Sequence, residues 1–132
     1  MQELSVRTHS RTELIDITGE VRAAIREEGT GDGICVVYCP HTTAAITIQE
    51  NADPDVVSDL LKEVNKIVPF DDGYRHSEGN SAAHIKSSII GASETLIVEA
   101  GRPALGTWQA IYFCEFDGPR SRRVLVKCCN SD

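Results

Sequence analysis

No stretch of this chain approaches the ~18 consecutive apolar residues that a membrane-crossing helix requires. Positive charge is also scarce: 13 Lys and Arg stand against 20 Asp and Glu, a net charge of −7. The overall field therefore repels nucleic acid instead of drawing it in. Repeats, low-complexity tracts and linkers are missing, so the 132 residues read as one domain, 1–132, around one core. Residues 1–12 lack the apolar centre of a signal peptide, and the expected compartment is the cytoplasm. The five cysteines are an odd number. Cys35 and Cys39 would share a strand face and Cys128 and Cys129 are adjacent, so neither pair has zinc-knuckle spacing. Reduced, mostly buried thiols are expected.

What is present is a clear succession of elements. Residues 2–9 and 13–16 read as short strands, and Thr18 caps a helix over 19–28 with Val21, Ala24 and Ile25 on one face. Ile34 to Cys39 is apolar almost throughout, as in a strand covered on both sides, and Ala44 to Glu50 is a further strand. Asp53 caps a second helix with Pro54 at its first position and an apolar stripe from Val56 to Val68. A polar loop, 70–80, leads to a short helix from Ser81 to Ile90, closed by Gly91. Strands at 94–99, 107–116 and 121–129 complete an α+β chain with one mixed or antiparallel sheet system. Strand 107–116 is apolar on both faces, Tyr112, Cys114 and Phe116 against Ile111 and Phe113. So small a chain has little left to cover both, and a homo-oligomer is expected.

Several polar side chains fall on apolar strand faces. Glu50 ends the row of Ile46 and Ile48, Gln109 and Glu115 share a face with Ile111 and Phe113, and Arg122 lies with Val124 and Val126. A buried charge must be paired or must bind something. Glu115 with Arg122 reads equally as a structural ion pair or as a substrate site, whereas Glu50 has no obvious partner. His41 ends a buried strand beside the hydroxyls of Thr42 and Thr43. His84 falls in the first turn of its helix, where the dipole disfavours imidazolium. His76 precedes it by a turn-forming segment. Together His41, His76 and His84 could make an open three-imidazole site for a divalent metal, zinc or magnesium, with Glu50 nearby. The turns at Gly101-Arg102-Pro103 and Gly118-Pro119-Arg120, with Lys86 on the third helix, suggest a local site for a phosphate-sized anion.

The segments HTTAAITIQENADPDVVSDL (His41 to Leu60), YRH (Tyr74 to His76), AHIKSSIIG (Ala83 to Gly91), LGTWQ (Leu105 to Gln109) and DGPRSRRV (Asp117 to Val124) follow one another in register. Across about residues 34–127 the chain resembles the YjbQ family, whose members are associated with a secondary thiamine-phosphate synthase activity. The resemblance implies a YjbQ-like α+β fold, a bent sheet of about seven strands flanked by two to three helices, in a homotrimer with sites near the subunit boundaries. It implies condensation of hydroxymethylpyrimidine diphosphate with thiazole phosphate, releasing diphosphate, and no organic cofactor. Carried over position by position, it points to His41, Glu50, His76, His84, Trp108, Gln109, Arg120 and Arg122. Taken with the residues read for themselves, His41, Glu50, His84 and Gln109 are expected to serve catalysis, Thr42, Thr43, Lys86, Trp108, Arg120 and Arg122 to bind substrate, and His41, His76 and His84 to hold a metal.

The expectation is thus a cytoplasmic homotrimeric enzyme acting on a small phosphorylated metabolite, without nucleic acid or membrane as partner. Glu50 would serve as acid/base, Trp108 would stack on the pyrimidine, and Arg120, Arg122 and Lys86 would stabilise departing diphosphate. Two other readings stay open: metal-dependent hydrolysis of a phosphorylated or acylated metabolite, and a non-catalytic trimeric binding protein.

Overall fold

The computed structural model describes residues 1–131. Its elements run β1 (Gln2–Arg7), β2 (Glu13–Asp16), α1 (Thr18–Glu28), β3 (Gly33–Tyr38), β4 (Ala44–Glu50), α2 (Pro54–Ile67), α3 (Ser81–Ile90), β5 (Ser93–Glu99), β6 (Arg102–Pro103), β7 (Gln109–Glu115) and β8 (Ser121–Asn130). Eight strands replace the expected seven, because the two-residue β6 is too short to show a period. They form two antiparallel sheets, β1-β8-β3-β5-β6 and β2-β7-β4. The architecture is α+β with three helices on curled antiparallel sheets.

Local chemistry explains where the helices begin. Asp53 accepts a hydrogen bond from the Asp55 N–H at 2.9 Å and Pro54 occupies the first helical position, so α2 starts as its sequence dictates. The start of α1 differs from expectation. Thr18 is already helical and Ile17 holds the cap position with no side-chain cap, while the Thr18 N–H donates to the Asp16 carboxylate at 2.9 Å. Thr18 Oγ1 is used instead to accept the Ile111 N–H at 2.9 Å, which fastens α1 to β7. At α3 the expected cap Ser81 is already helical. Asn80 precedes it, and its side chain turns away to Asp117.

Both faces of β7 are covered within the chain. Ile111 and Phe113 enter the main core with Ile46, the inner residues of the larger sheet (Cys35, Val37, Leu96, Val98, Val124, Val126) and Val21, Ala24 and Ile25 of α1. Cys114 and Phe116 on the opposite face meet Ala45, Ala83, Leu14, Val64 and Ile90. The uncovered apolar surface is elsewhere. On β3 and β5, Ile34, Tyr38 and Ile97 are 47%, 44% and 64% exposed, so β3 is covered on one face only. Among the described residues no helix lies over that side of the larger sheet, whereas helices α2 and α3 pack on the smaller one.

The five cysteines are free thiols, Cys35, Cys39 and Cys114 buried and Cys129 exposed. No helix among the described residues is long and apolar enough to cross a membrane.

If α2 and α3 are held on β7 through its second face, Phe116→Ala should destabilise the protein by about 3–5 kcal/mol. Urea unfolding followed by circular dichroism measures this. A loss below about 1 kcal/mol would mean that the helical layer contributes little to stability.

Candidate functional site

The β3–β4 connection, the start of α3 and the β7–β8 turn converge at one end of the two sheets. Their convergence is held by Glu115, the last residue of β7, and Arg122, the second of β8. Arg122 Nε donates to Glu115 Oε1 at 2.8 Å and Nη2 donates to Oε2, with side-chain exposures of 5% and 0%. Thr8 Oγ1 donates to Oε1 at 2.8 Å and the Asp117 N–H to Oε2 at 3.0 Å, so four donors surround the carboxylate. Burial alone would raise the Glu115 pKa, but the hydrogen bonds from Arg122, Asp117 and Thr8 outweigh it and hold the carboxyl below its ordinary range. Of the two readings left by the sequence, the ion pair is formed, and it joins one sheet to the other.

Arg122 also stands at the edge of a cavity. Its Nη2 donates to Thr43 Oγ1 at 2.8 Å, and the residue lines a cavity of about 360 Å³ together with His41, Thr42, Thr43, His84 and Arg120. Six candidate residues from four segments thus share one cavity. Pro40 and three polar residues that the sequence did not single out, Glu78, Asn80 and Asp117, complete its wall. Asp117 stood inside the DGPR segment, but its role depends on contacts with distant residues. It accepts from Arg120 Nη2 at 2.9 Å and from Asn80 Nδ2 at 3.0 Å. Burial pushes its pKa up, yet Asn80 and Arg120 more than reverse this and the carboxyl stays low. Asn80 Oδ1 is buried without a hydrogen-bond partner among the described residues.

His41 has a defined protonation pattern. Its Nε2 accepts the Arg123 N–H at 3.0 Å, so in the neutral ring the proton is on Nδ1. Burial foremost, and then the Arg122 guanidinium, lower its pKa. Near neutral pH, His41 is therefore an uncharged donor through Nδ1–H.

The proposed three-imidazole set does not assemble. The rings of His76 and His84 meet edge-on with centroids 5.5 Å apart, and His76 approaches Glu78 at 3.8 Å. The lone pair of His41 Nε2 is committed to Arg123, and Nδ1 carries the proton. Among the described residues no group of three or more His, Cys, Asp or Glu is placed to hold a metal. The residues present do not fit a divalent metal in this arrangement.

Glu50, Gln109 and Trp108 lie elsewhere. Glu50 pairs with Gln109 at one end of the β4–β7 ladder, while Ala44 pairs with Glu115 at the other. With a rise of ~3.4 Å per residue, the two ends are about 20 Å apart. Glu50 is thus far from His41 within the chain, and it is not the acid/base partner of His41 or His84 there. Gln109 lines a separate cavity with Asp16, Arg22 and Asn51, and its Oε1 accepts the Gly106 N–H at 2.8 Å. Trp108 lies in the turn before β7, 64% exposed, and neither packs in the core nor reaches the histidines.

Lys86 is fully buried and points away from the cavity. Its Nζ donates to Asn65 Oδ1 at 2.8 Å and stands 4.0 Å from the Phe70 ring centroid. It pins α3 to α2. Burial, aided by Arg11, lowers its pKa to about 8.

Two stability measurements follow. Arg122→Met should cost about 3–5 kcal/mol by leaving Glu115 buried and unpaired. The depressed Glu115 pKa stabilises the fold above the unfolded value of about 4.3 and that contribution is lost as pH falls through the folded value. The destabilisation by Arg122→Met should therefore shrink on acidification, and a pH-independent difference would rule this origin out. Lys86 has the opposite sense. Its buried charge is a full penalty below pH 8, relieved as pH approaches the unfolded pKa of about 10.4. Wild type should gain on the order of 2–3 kcal/mol relative to Lys86→Met across that window; parallel pH profiles would refute it.

Residues 2–131 match the family described as UPF0047 protein YjbQ-like. The chain is 55% identical to the UPF0047 protein YugU of Bacillus subtilis over 128 residues, covering 96% of this chain and 97% of that one. A UPF0047 protein of Methanocaldococcus jannaschii is 52% identical, over 92% of this chain and 88% of its own. Among solved structures, a YjbQ/UPF0047 protein of Clostridium acetobutylicum superposes with a TM-score of 0.95 at 53% identity, covering 98% and 100% of the two chains. One from Aeropyrum pernix gives 0.93 at 35% identity over 98% of each. With its whole length, its sheets and the five sequence blocks all in agreement, the chain belongs to the YjbQ/UPF0047 family.

Proposed function

We propose that the cavity at His41, His84, Arg120 and Arg122 binds the phosphate or diphosphate group of a small metabolite and assists its departure. The activity implied by the family resemblance, thiamine-phosphate synthesis, is the reaction that these residues suit best. The observation that carries the reading is the gathering of two arginines, two imidazoles and two threonines from separate segments on one small cavity. Guanidinium forks recognise phosphate oxygens, and the Nδ1–H of a neutral His41 adds a donor without a counter-charge.

In the condensation, the bond between the pyrimidine methylene carbon and the diphosphate oxygen breaks, and the electron pair leaves with diphosphate. The thiazole nitrogen supplies the pair for the new carbon–nitrogen bond, giving a thiazolium. No proton needs to move in this step. Its main demand is stabilisation of a developing polyanion by preorganised donors. The distance of Glu50 from the cavity therefore does not weigh against it. Asp117 and Glu78 on the wall oppose the anion. Asp117 is already engaged by Arg120 and Asn80, which moderates its effect.

Self-association into a homotrimer belongs to the same proposal. The apolar face bearing Ile34, Tyr38 and Ile97 is a surface that a second copy would cover.

Arg120→Gln removes an exposed side chain. It should leave the melting temperature unchanged while reducing synthase turnover, and rescue of a thiamine-requiring strain, by 10²-fold or more; unaltered rescue would exclude this cavity. Ile97→Glu should convert a three-chain mass in sedimentation equilibrium to a smaller one. An unchanged mass would place the contact elsewhere.

A further inference from the structure

We infer that Arg22, Arg26 and Arg102 form a second anion site, which takes the phosphate of a small phosphate monoester. It shares no residue with the cavity at His41 and Arg122. Arg22 and Arg26 are one turn apart on α1 and so project from the same helix face. The short strand β6 packs beside α1, with Pro103 buried and Arg102 exposed. The three arginines, Gly101 and Pro103 enclose a cavity of about 300 Å³, and no acidic residue is in its wall.

Like charges at this helical spacing repel. Arg26 is partly compensated because it lies in the last turn of α1, near the negative end of the dipole, and Arg22 only by the charge of Asp16 across the neighbouring cavity. None of the three makes an ion pair among the described residues, whereas Arg120, Arg122 and Arg123 all do. Glu99 is the register partner of Arg102 on β5 and still makes no ion pair with it. In a chain with 20 acidic and 13 basic residues, three guanidiniums without an ion-pair contact around one hollow set up a local positive field. Its confinement to a small cavity favours a compact anion over the extended backbone of a nucleic acid. The amide of Gly101 is not part of the site, since it donates to Gly31 O at 2.7 Å. Recognition falls to the guanidinium forks, which match phosphate oxygens in pairs.

Arg22 and Pro103 also line the larger neighbouring cavity, about 610 Å³, whose other walls include Asp16, Asn51 and Gln109. This leaves room for the organic part of the ligand beside its phosphate. Burial acts to raise the pKa of Asp16, but the hydrogen bonds from Thr18 and Asn51 and the charge of Arg22 bring it below the ordinary value. An ionised Asp16 calls for a donor on the ligand, such as an amine or hydroxyl, a few bonds from the phosphate. The site thus selects a small polar monoester with a donor group.

Phosphoethanolamine carries both groups and inorganic phosphate only one, so isothermal titration with the two separates the contributions. Wild-type protein should bind both. Arg22→Gln and Arg102→Gln change exposed residues, and each should weaken both ligands about tenfold without lowering the melting temperature. Asp16→Asn keeps an oxygen for the Thr18 N–H, and should weaken phosphoethanolamine while sparing phosphate. Arg120→Gln tests the other cavity and should leave this binding phase intact. Loss of the phase in Arg120→Gln alone, its persistence in the Arg22→Gln/Arg102→Gln double variant, or no phosphate binding by wild type at millimolar concentration would each overturn the second site.

Discussion

The buried pair of Glu115 and Arg122 is the constraint on which the rest of the structure turns. Two ions lose their water at the junction of two sheets, a loss of several kcal/mol each unless every lone pair and proton is engaged. Here Arg122, Thr8 and the Asp117 N–H satisfy both carboxylate oxygens, and Thr43 takes a further guanidinium proton. Because these partners come from β8, the end of β1, the β7–β8 turn and the approach to β4, the pair fixes four segments together. Gly118 belongs to the same arrangement. A Cβ there would collide with the Ser10 carbonyl and crowd Glu115 and Thr8, so the turn can close over the carboxylate only with glycine.

The cavity follows from that junction. Arg122 uses one edge of its guanidinium to hold the sheets and remains on the cavity wall. Arg123, the next residue, points the other way, yet its amide binds His41, and so sets which ring nitrogen carries the proton. On the opposite side, Lys86 and Asn65 fasten α3 to α2, and Ser87 Oγ donates to the Thr42 carbonyl at 2.6 Å. These contacts set the position of His84 relative to the β3–β4 connection. The cationic, hydrogen-bonding character of the cavity thus comes from groups that also carry the fold.

Much of this was legible from the residues in order. Helix α2 begins and ends where Asp53, Pro54 and Pro69 say it should, and β4, α3 and β5 fall within a residue of their patterns. The misreadings share a cause. Thr18 and Ser81 were assigned to capping because local hydrogen bonds are the default for such residues, but tertiary partners claimed Thr18 and displaced the cap at α3. Apolar residues on both sides of β7 were the ground for expecting an oligomer; that strand is covered within the chain, and the exposed apolar side chains on the larger sheet are Ile34, Tyr38 and Ile97 of β3 and β5. Lys86 looked like an anion ligand because sequence cannot tell a lysine aimed at solvent from one enclosed by Phe70 and Asn65. Parity sets Glu50 and Gln109 in apolar rows, but both lie at the open end of the β4–β7 ladder, where Gln109 is exposed and Glu50 half-buried, because parity gives the face of a residue and not the end of the sheet at which it lies.

The amino-acid sequence by itself determined the elements, their order, and the family to which the chain belongs, since these rest on local periodicity, caps and block-by-block likeness. Only the tertiary structure decided which candidates meet. It grouped His41, Thr42, Thr43, His84, Arg120 and Arg122, set Glu50, Gln109 and Trp108 apart, and brought Arg102 beside Arg22 and Arg26. The physical reason is that strand pairing and sheet packing join residues distant along the chain, and their energies depend on burial and on partners that no short stretch of sequence contains.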